Sequence, residues 1–370
     1  MRRDITKAVI LCLAASSAAS PLGRRSFNNN VVDEFENIDD FPNPSPQQLL
    51  GTEQRAHGTL SNSTPPASVN PDTITSLQVI AAQEQFEAAF FQQLLTNVTN
   101  DATGFCIDDA ESKEFTIRAL TAIVAQEELH ALDAITALKH FGEVPIEPCL
   151  YNFPVSTLQE AITLAQTFTS VVLGTLQNIV VNMGKNGDAG LTQDISSVIG
   201  QEGEQQGWFR IFNEKIPSEL PFLTNSVRDF AFNALNQDFI VPGSCSNVDQ
   251  IASLKKLHVM QPLNVVKTFD PSEEDDETVQ LSFELPGGSD AKDFVVAYIN
   301  QQNTPFTLPY TEVKYEGGDL LVQAPFPFKE HLLNGLTILV IVPSSATGNL
   351  VSNQDVANVA LAGPGLVIVN

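Results

Sequence analysis

The chain reads as an all-α four-helix bundle followed by an all-β sandwich, and three observations predict it. From residue 71 to 245 apolar side chains recur every three or four positions over long stretches, the period of helices that bury one face. After residue 246 the text breaks into short runs rich in Val, Ile, Leu and Phe, divided by Gly, Pro and Asn, as strands and turns are. Acidic residues and a histidine also fall on the apolar stripes of the helical part, where a solvated face would not put them.

The N-terminus comes first. Arg2, Arg3 and Lys7 form a basic start, Ala8 to Ala15 an apolar centre, and Ala18-Ala19-Ser20 a small-residue cleavage site, so residues 1–20 read as an export signal. Arg24-Arg25 offers a second, dibasic processing site. Residues 21–70 are rich in Asn, Ser, Pro, Gly and Gln and hold no apolar period; they read as a propeptide or disordered linker.

Residues 71–245 carry the helices. Pro71-Asp72 opens the first, with the stripe Leu77, Ile80, Glu84, Ala88, Phe91, Leu95. The second begins near Ala110 and places Leu120, Ile123, Glu127, His130, Ala134 and Leu138 on one face before Gly142 stops it. The third runs from Thr157 to Met183, and the fourth carries Leu191, Ile195, Val198, Glu202, Gln205 and Phe209. A shorter fifth segment spans Thr224 to Phe239, and Pro242-Gly243 ends it. Residues 246–370 supply the β runs Thr278 to Leu285, Asp293 to Ile299, Asp319 to Gln323 and Leu336 to Val342, with Val356 to Val369 as a last strand. An immunoglobulin-like sandwich is one form they could take.

Charge narrows the function. Lys plus Arg is 19 against 44 for Asp plus Glu, a net of -25. Loss of the signal removes three basic residues and one acidic one, which takes the net to -27. Nucleic acids and anionic lipid surfaces are therefore poor partners. No apolar run of about eighteen residues follows the signal, so no membrane span is expected. A C-terminal lipid-anchor signal is disfavoured because Gly363-Pro364-Gly365 interrupts the last apolar segment. Cys12 leaves with the signal, and Cys106, Cys149 and Cys245 remain. In an oxidising compartment one disulfide and one free thiol are expected. Cys149 follows a helix hairpin and Cys245 the last helix, which makes them the expected pair. Asn62 and Asn97 begin Asn-x-Ser/Thr sequons for glycosylation.

The chemistry lies in the buried acids. An ionised carboxylate in an apolar core costs several kcal/mol unless it is paired, protonated or metal-bound. Di-iron carboxylate bundles use one Glu from each of two helices and a Glu-x-x-His pair from each of the other two. Glu127-Glu128-Leu129-His130 supplies one such pair, and Glu84 a partner glutamate. The other half departs: Glu202-Gly203-Glu204-Gln205 has Gln205 where His is needed, and Gln166 is the nearest equivalent of the missing third-helix glutamate. A neutral amide is a poor iron ligand. One metal on Glu84, Glu127, His130 and Glu202 is thus an option. A metal-free core, with amides hydrogen-bonding carboxylates, is the favoured one.

Glu84 to Phe91, Gln126 to Leu132 and Gln201 to Arg210 resemble the ferritin-like domain of the fungal late sexual development protein family, related to plant desiccation-related proteins. The resemblance covers 71–245 and implies an exported protein tied to fungal development or stress, with no catalytic activity to carry over. The expectation is a non-enzymatic, glycosylated ferritin-like protein of the cell wall or matrix, without catalytic residues and with a degenerate di-iron site. No cofactor is expected; one iron, manganese or zinc ion is the alternative, in a metal-binding oxidoreductase or iron-binding protein. Cell-wall polysaccharide or matrix proteins would be its partners, and a carbohydrate-binding role for residues 258–370 rests on fold analogy alone. The acidic run Glu273 to Glu277 lacks the spaced ligands of a calcium loop and reads as solvated. His140, His258 and His331 are expected at the surface, and Trp208 in the core.

Overall fold

Among the described residues, Ser45 begins the first helix. In the computed structural model, which describes residues 40–245, 251, 256–272 and 277–370, Ser45 caps α1 (Pro46–Ala56) through a capping box with Gln48, and Pro46 stands in the first turn. The export signal, the dibasic site and most of the acidic run lie outside the described residues. Residues 46–56 fall in the stretch read as a propeptide or linker, and here the structure differs from that reading. The helix forms because Ala56, with Phe41, Leu49 and Leu60, packs against Ala125, Leu129 and Leu132 of α3 (Ala110–His140).

The described chain divides into two units, residues 40–164 with 240–245, and residues 165–239 with 251–370. The first holds α1, α2 (Pro71–Thr99), α3 and the start of α4 (Leu158–Asn186). Asn70 caps α2 and Asp109 caps α3. A paired closing motif ends α3: Gly142 at φ 76° donates to Lys139 and Glu143 to Leu138. α2 is buried on nearly every side. The proline-rich connection after α3 wraps it, with Phe153 5.2 Å from Phe90, Tyr151 5.7 Å from Phe86, and Gln85 donating to the Ile146 carbonyl. Cys149 and Cys245 form the expected disulfide, and Cys106 is a free, half-buried thiol.

The second unit holds the rest of α4, then α5 (Thr192–Phe212), α6 (Arg228–Asp238) and two antiparallel sheets. One sheet orders β1 (Asn264–Lys267), β2 (Thr278–Glu284), β6 (Asp319–Pro325) and β5 (Thr311–Glu316) as β1-β2-β6-β5. The other orders β4 (Phe306–Leu308), β3 (Phe294–Asn300), β7 (Gly335–Pro343) and β8 (Ala362–Val369) as β4-β3-β7-β8. This is the immunoglobulin strand order, with β4 added at one edge. β2 and β6 alternate buried and half-buried residues because only their inner face meets the core. That core joins Leu281, Phe283 and Val322 to Tyr298, Leu339 and Ile341.

β7 is buried along almost its whole length, since its sheet is covered on both faces. Ala297, Ile299, Ile338, Val340 and Val342 look outward onto Val171 of α4, Val227, Phe230 and Ala231 at α6, and Val356 and Ala357 of α8 (Asn353–Val359). A short α7 (Phe328–His331) precedes β7. Three sequence expectations change here. α6 shares a core with the sheet, so the line drawn at residue 245 cuts through packed side chains. Val356 lies in a helix capped by Ser352, so the expected last strand is shorter and begins at Ala362, with Gly363-Pro364-Gly365 inside it. α4 is long and apolar enough to cross a membrane, yet 67% of its most apolar window is buried within the protein.

Candidate metal centre

α2 and α3 bring three of the expected donors together. Glu127 and His130 are one turn apart on α3 and so share a face, and that face meets Glu84 of α2. His130 Nδ1 lies 3.1 Å from Glu127 Oε2 and 3.4 Å from Glu84 Oε2. Both carboxylates are fully buried, while 14% of the His130 side chain is exposed. Among the described residues neither oxygen of Glu84 is within hydrogen-bonding geometry of a partner, and its charged neighbours are the His130 ring and the Glu127 carboxylate.

Burial pushes the Glu84 carboxyl up to about 7; His130 pulls it back, and the Glu127 charge adds to the rise. For His130 burial disfavours the charged ring, but Glu127 and Glu84 outweigh it and hold the imidazole well above its ordinary value. The trio therefore stores protons where it could instead bind a cation. Two carboxylates and an imidazole nitrogen on one point are a donor set that suits iron, manganese or zinc, and the three belong to a Glu/His group able to hold a metal ion. These residues fit a single ion.

The other expected positions lie in the second unit. Glu202 is fully buried on α5, and Gln205 and Gln166 are buried too. Gln166 has entered an amide network: its Oε1 accepts from Asn213 Nδ2 at 3.1 Å, and its carbonyl accepts from Gln206 Nε2 at 3.2 Å. Gln206 Nε2 also reaches Ser170 Oγ at 2.8 Å and Glu219 Oε2 at 3.2 Å. Such a network does not fit the second iron of a di-iron set. Ser170, Gln206, Asn213 and Glu219 are absent from the sequence reading. Gln206 could have been found, since it stands four residues from Glu202 and on the same face; Glu219 comes from a loop and carries no periodic signal.

The remaining candidates are placed plainly. Asn62 is exposed and Asn97 half-buried near the end of α2. His140 and His331 are exposed as expected, but His258 is half-buried, its Nε2 bonded to the Ala360 carbonyl and its backbone N–H donating to Asp229. Trp208 is half-buried against Phe209 and Phe212.

Residues 72–215 match the family model of a ferritin-like domain. The match covers less than half of the chain and includes Glu84, Glu127, His130, Gln166, Glu202 and Gln205. No curated protein matches the chain. The molecule is thus a ferritin-like domain with a helical core, followed by a C-terminal region of two antiparallel sheets.

Proposed function

We propose that this is an exported, non-catalytic protein whose ferritin-like domain holds a single divalent metal ion on Glu84, Glu127 and His130. The observation that carries the reading is His130 Nδ1 set between two fully buried carboxylates. A divalent ion there replaces the protons that Glu84 and His130 otherwise hold. The amides at Gln166 and Gln205 support one ion over two, because neutral ligands do not balance a second ferric or ferrous charge. Export is supported by the Cys149–Cys245 disulfide, which persists in oxidising compartments, and by the signal-like first twenty residues. The resemblance to the late sexual development family supports a role in the wall or matrix during fungal development or stress, and glycosylation at Asn62.

Elemental analysis of the secreted protein, purified without chelator, tests this. One iron, manganese or zinc per chain is expected, and it is lost in His130→Ala. Two metals per chain would favour a metal-dependent oxidoreductase instead. No metal as purified, together with none on titration with Fe²⁺, Mn²⁺ or Zn²⁺, would return the site to the metal-free core that the sequence alone favours.

A further inference from the structure

Three oxygens in the second unit converge on one nitrogen. Gln206 Nε2 lies 2.8 Å from Ser170 Oγ and 3.2 Å from both the Gln166 carbonyl oxygen and Glu219 Oε2. An amide NH₂ has two hydrogens, so these acceptors outnumber what it offers. The Ser170 hydroxyl makes up the difference, standing 2.9 Å from the Gln166 carbonyl and 3.3 Å from Glu219 Oε2. A backbone carbonyl, a hydroxyl and a carboxylate are the ligand types that hard cations such as Ca²⁺ and Mn²⁺ take.

A second observation points the same way. The acceptor oxygens Gln206 Oε1 and Glu219 Oε1 are buried and have no hydrogen-bond partner among the described residues. Gln166 and Gln206 are only 1% and 3% exposed. A buried polar atom left without a partner is destabilising, which a network selected for hydrogen bonding alone would avoid. The Glu219 charge is balanced from a distance by Arg210 and Lys215, both partly desolvated. The resting cluster thus needs no further cation.

We propose that Gln206 is the residue that keeps cations out of the second unit. Its amide nitrogen occupies, uncharged, the place among the Gln166 carbonyl, Ser170 Oγ and Glu219 that a hard cation would take. An oxygen-only side chain at this position turns the cluster into a cation site. This deepens the one-ion reading by naming what closes the other half of the domain.

The test uses the full chain and is run in parallel in the wild-type and His130→Ala backgrounds. Gln206→Glu sets a second carboxylate beside Glu219. It is expected to bind one more Mn²⁺ or Ca²⁺ per chain than its parent, to gain about 5 °C in thermal midpoint on adding the ion, and to melt below its parent in EDTA. Adding Glu219→Gln abolishes the gain. Gln206→Met, of similar length, is destabilised with or without metal and takes up no extra ion. No added metal in Gln206→Glu overturns the proposal, and so does a wild-type chain that already holds an ion removed by Glu219→Gln. If Gln206→Glu is recovered only as aggregate, refolding decides: rescue by Mn²⁺ or Ca²⁺ supports the proposal, and no rescue by either overturns it. Since the gain is read without His130, a failure of the one-ion site and a failure here give different results.

Discussion

At the scale of the residue, the trio on α2 and α3 sets a pH dependence. Glu84 binds its proton more tightly in the folded chain, up to about 7 against an ordinary 4.5. The metal-free fold therefore gains from this group at low pH and loses that gain as pH rises from 4.5 to 7, on the order of 3 kcal/mol. His130 adds a contribution that is complete below pH 6.5 and fades as pH climbs through its raised folded value. Urea unfolding in EDTA should show stability falling between pH 5 and 8, with a flatter slope in Glu84→Gln. Metal affinity should move the opposite way and rise with pH, because binding must release those protons. The two glutamates should also differ in the metal-free protein at neutral pH. Glu84→Gln, at a group already half protonated, should cost less than about 1 kcal/mol. Glu127→Ala removes the nearer anion beside a charged ring and should cost about 3 kcal/mol.

At the scale of the element, the glycines separate crowded helices from open ones. A Cβ on Gly174 of α4 would stand 2.3 Å from the Thr224 carbonyl and 2.9 Å from Ser226 N, so Gly174→Ala should cost about 1–3 kcal/mol. Gly203 of α5 is exposed, with nothing within 4 Å of its would-be Cβ, and Gly203→Ala should add up to about 1 kcal/mol. Thermal melts of the two variants, one lower and one higher than the parent, check both. Legibility in the sequence follows the same scale. α2 to α5 are legible because their stripes run for many turns, and the pattern alone starts α3 at Ala110. α1 is not legible because its short polar text holds no long period, although Ser45 and Gln48 spell its capping box. β1 and β4 are short and half-buried and the described side chains of β5 are exposed, so no apolar run announces these strands. Of the site, Glu84, Glu127 and His130 were legible from spacing. Glu219 was not, for a loop has no period to read.

At the scale of the whole molecule, the disulfide closes a long stretch of chain. Cys149 and Cys245 are 96 residues apart, and constraining a loop of that length in the unfolded chain is worth about 4–5 kcal/mol. Unfolding of the Cys149→Ser/Cys245→Ser variant should shift to lower denaturant by that amount with an unchanged metal content. The outer face of the β4-β3-β7-β8 sheet carries a further consequence. Ile299, Ile338, Val340 and Val342 stay dry because α4 and α6, which precede the strands in the chain, lie over them. A fragment cut at residue 246 would therefore show water a bare hydrocarbon wall, and expression of 246–370 alone should yield inclusion bodies, whereas one starting ahead of α4 should stay dispersed. Any glycan screen meant for the C-terminal strands has to carry their helical roof along.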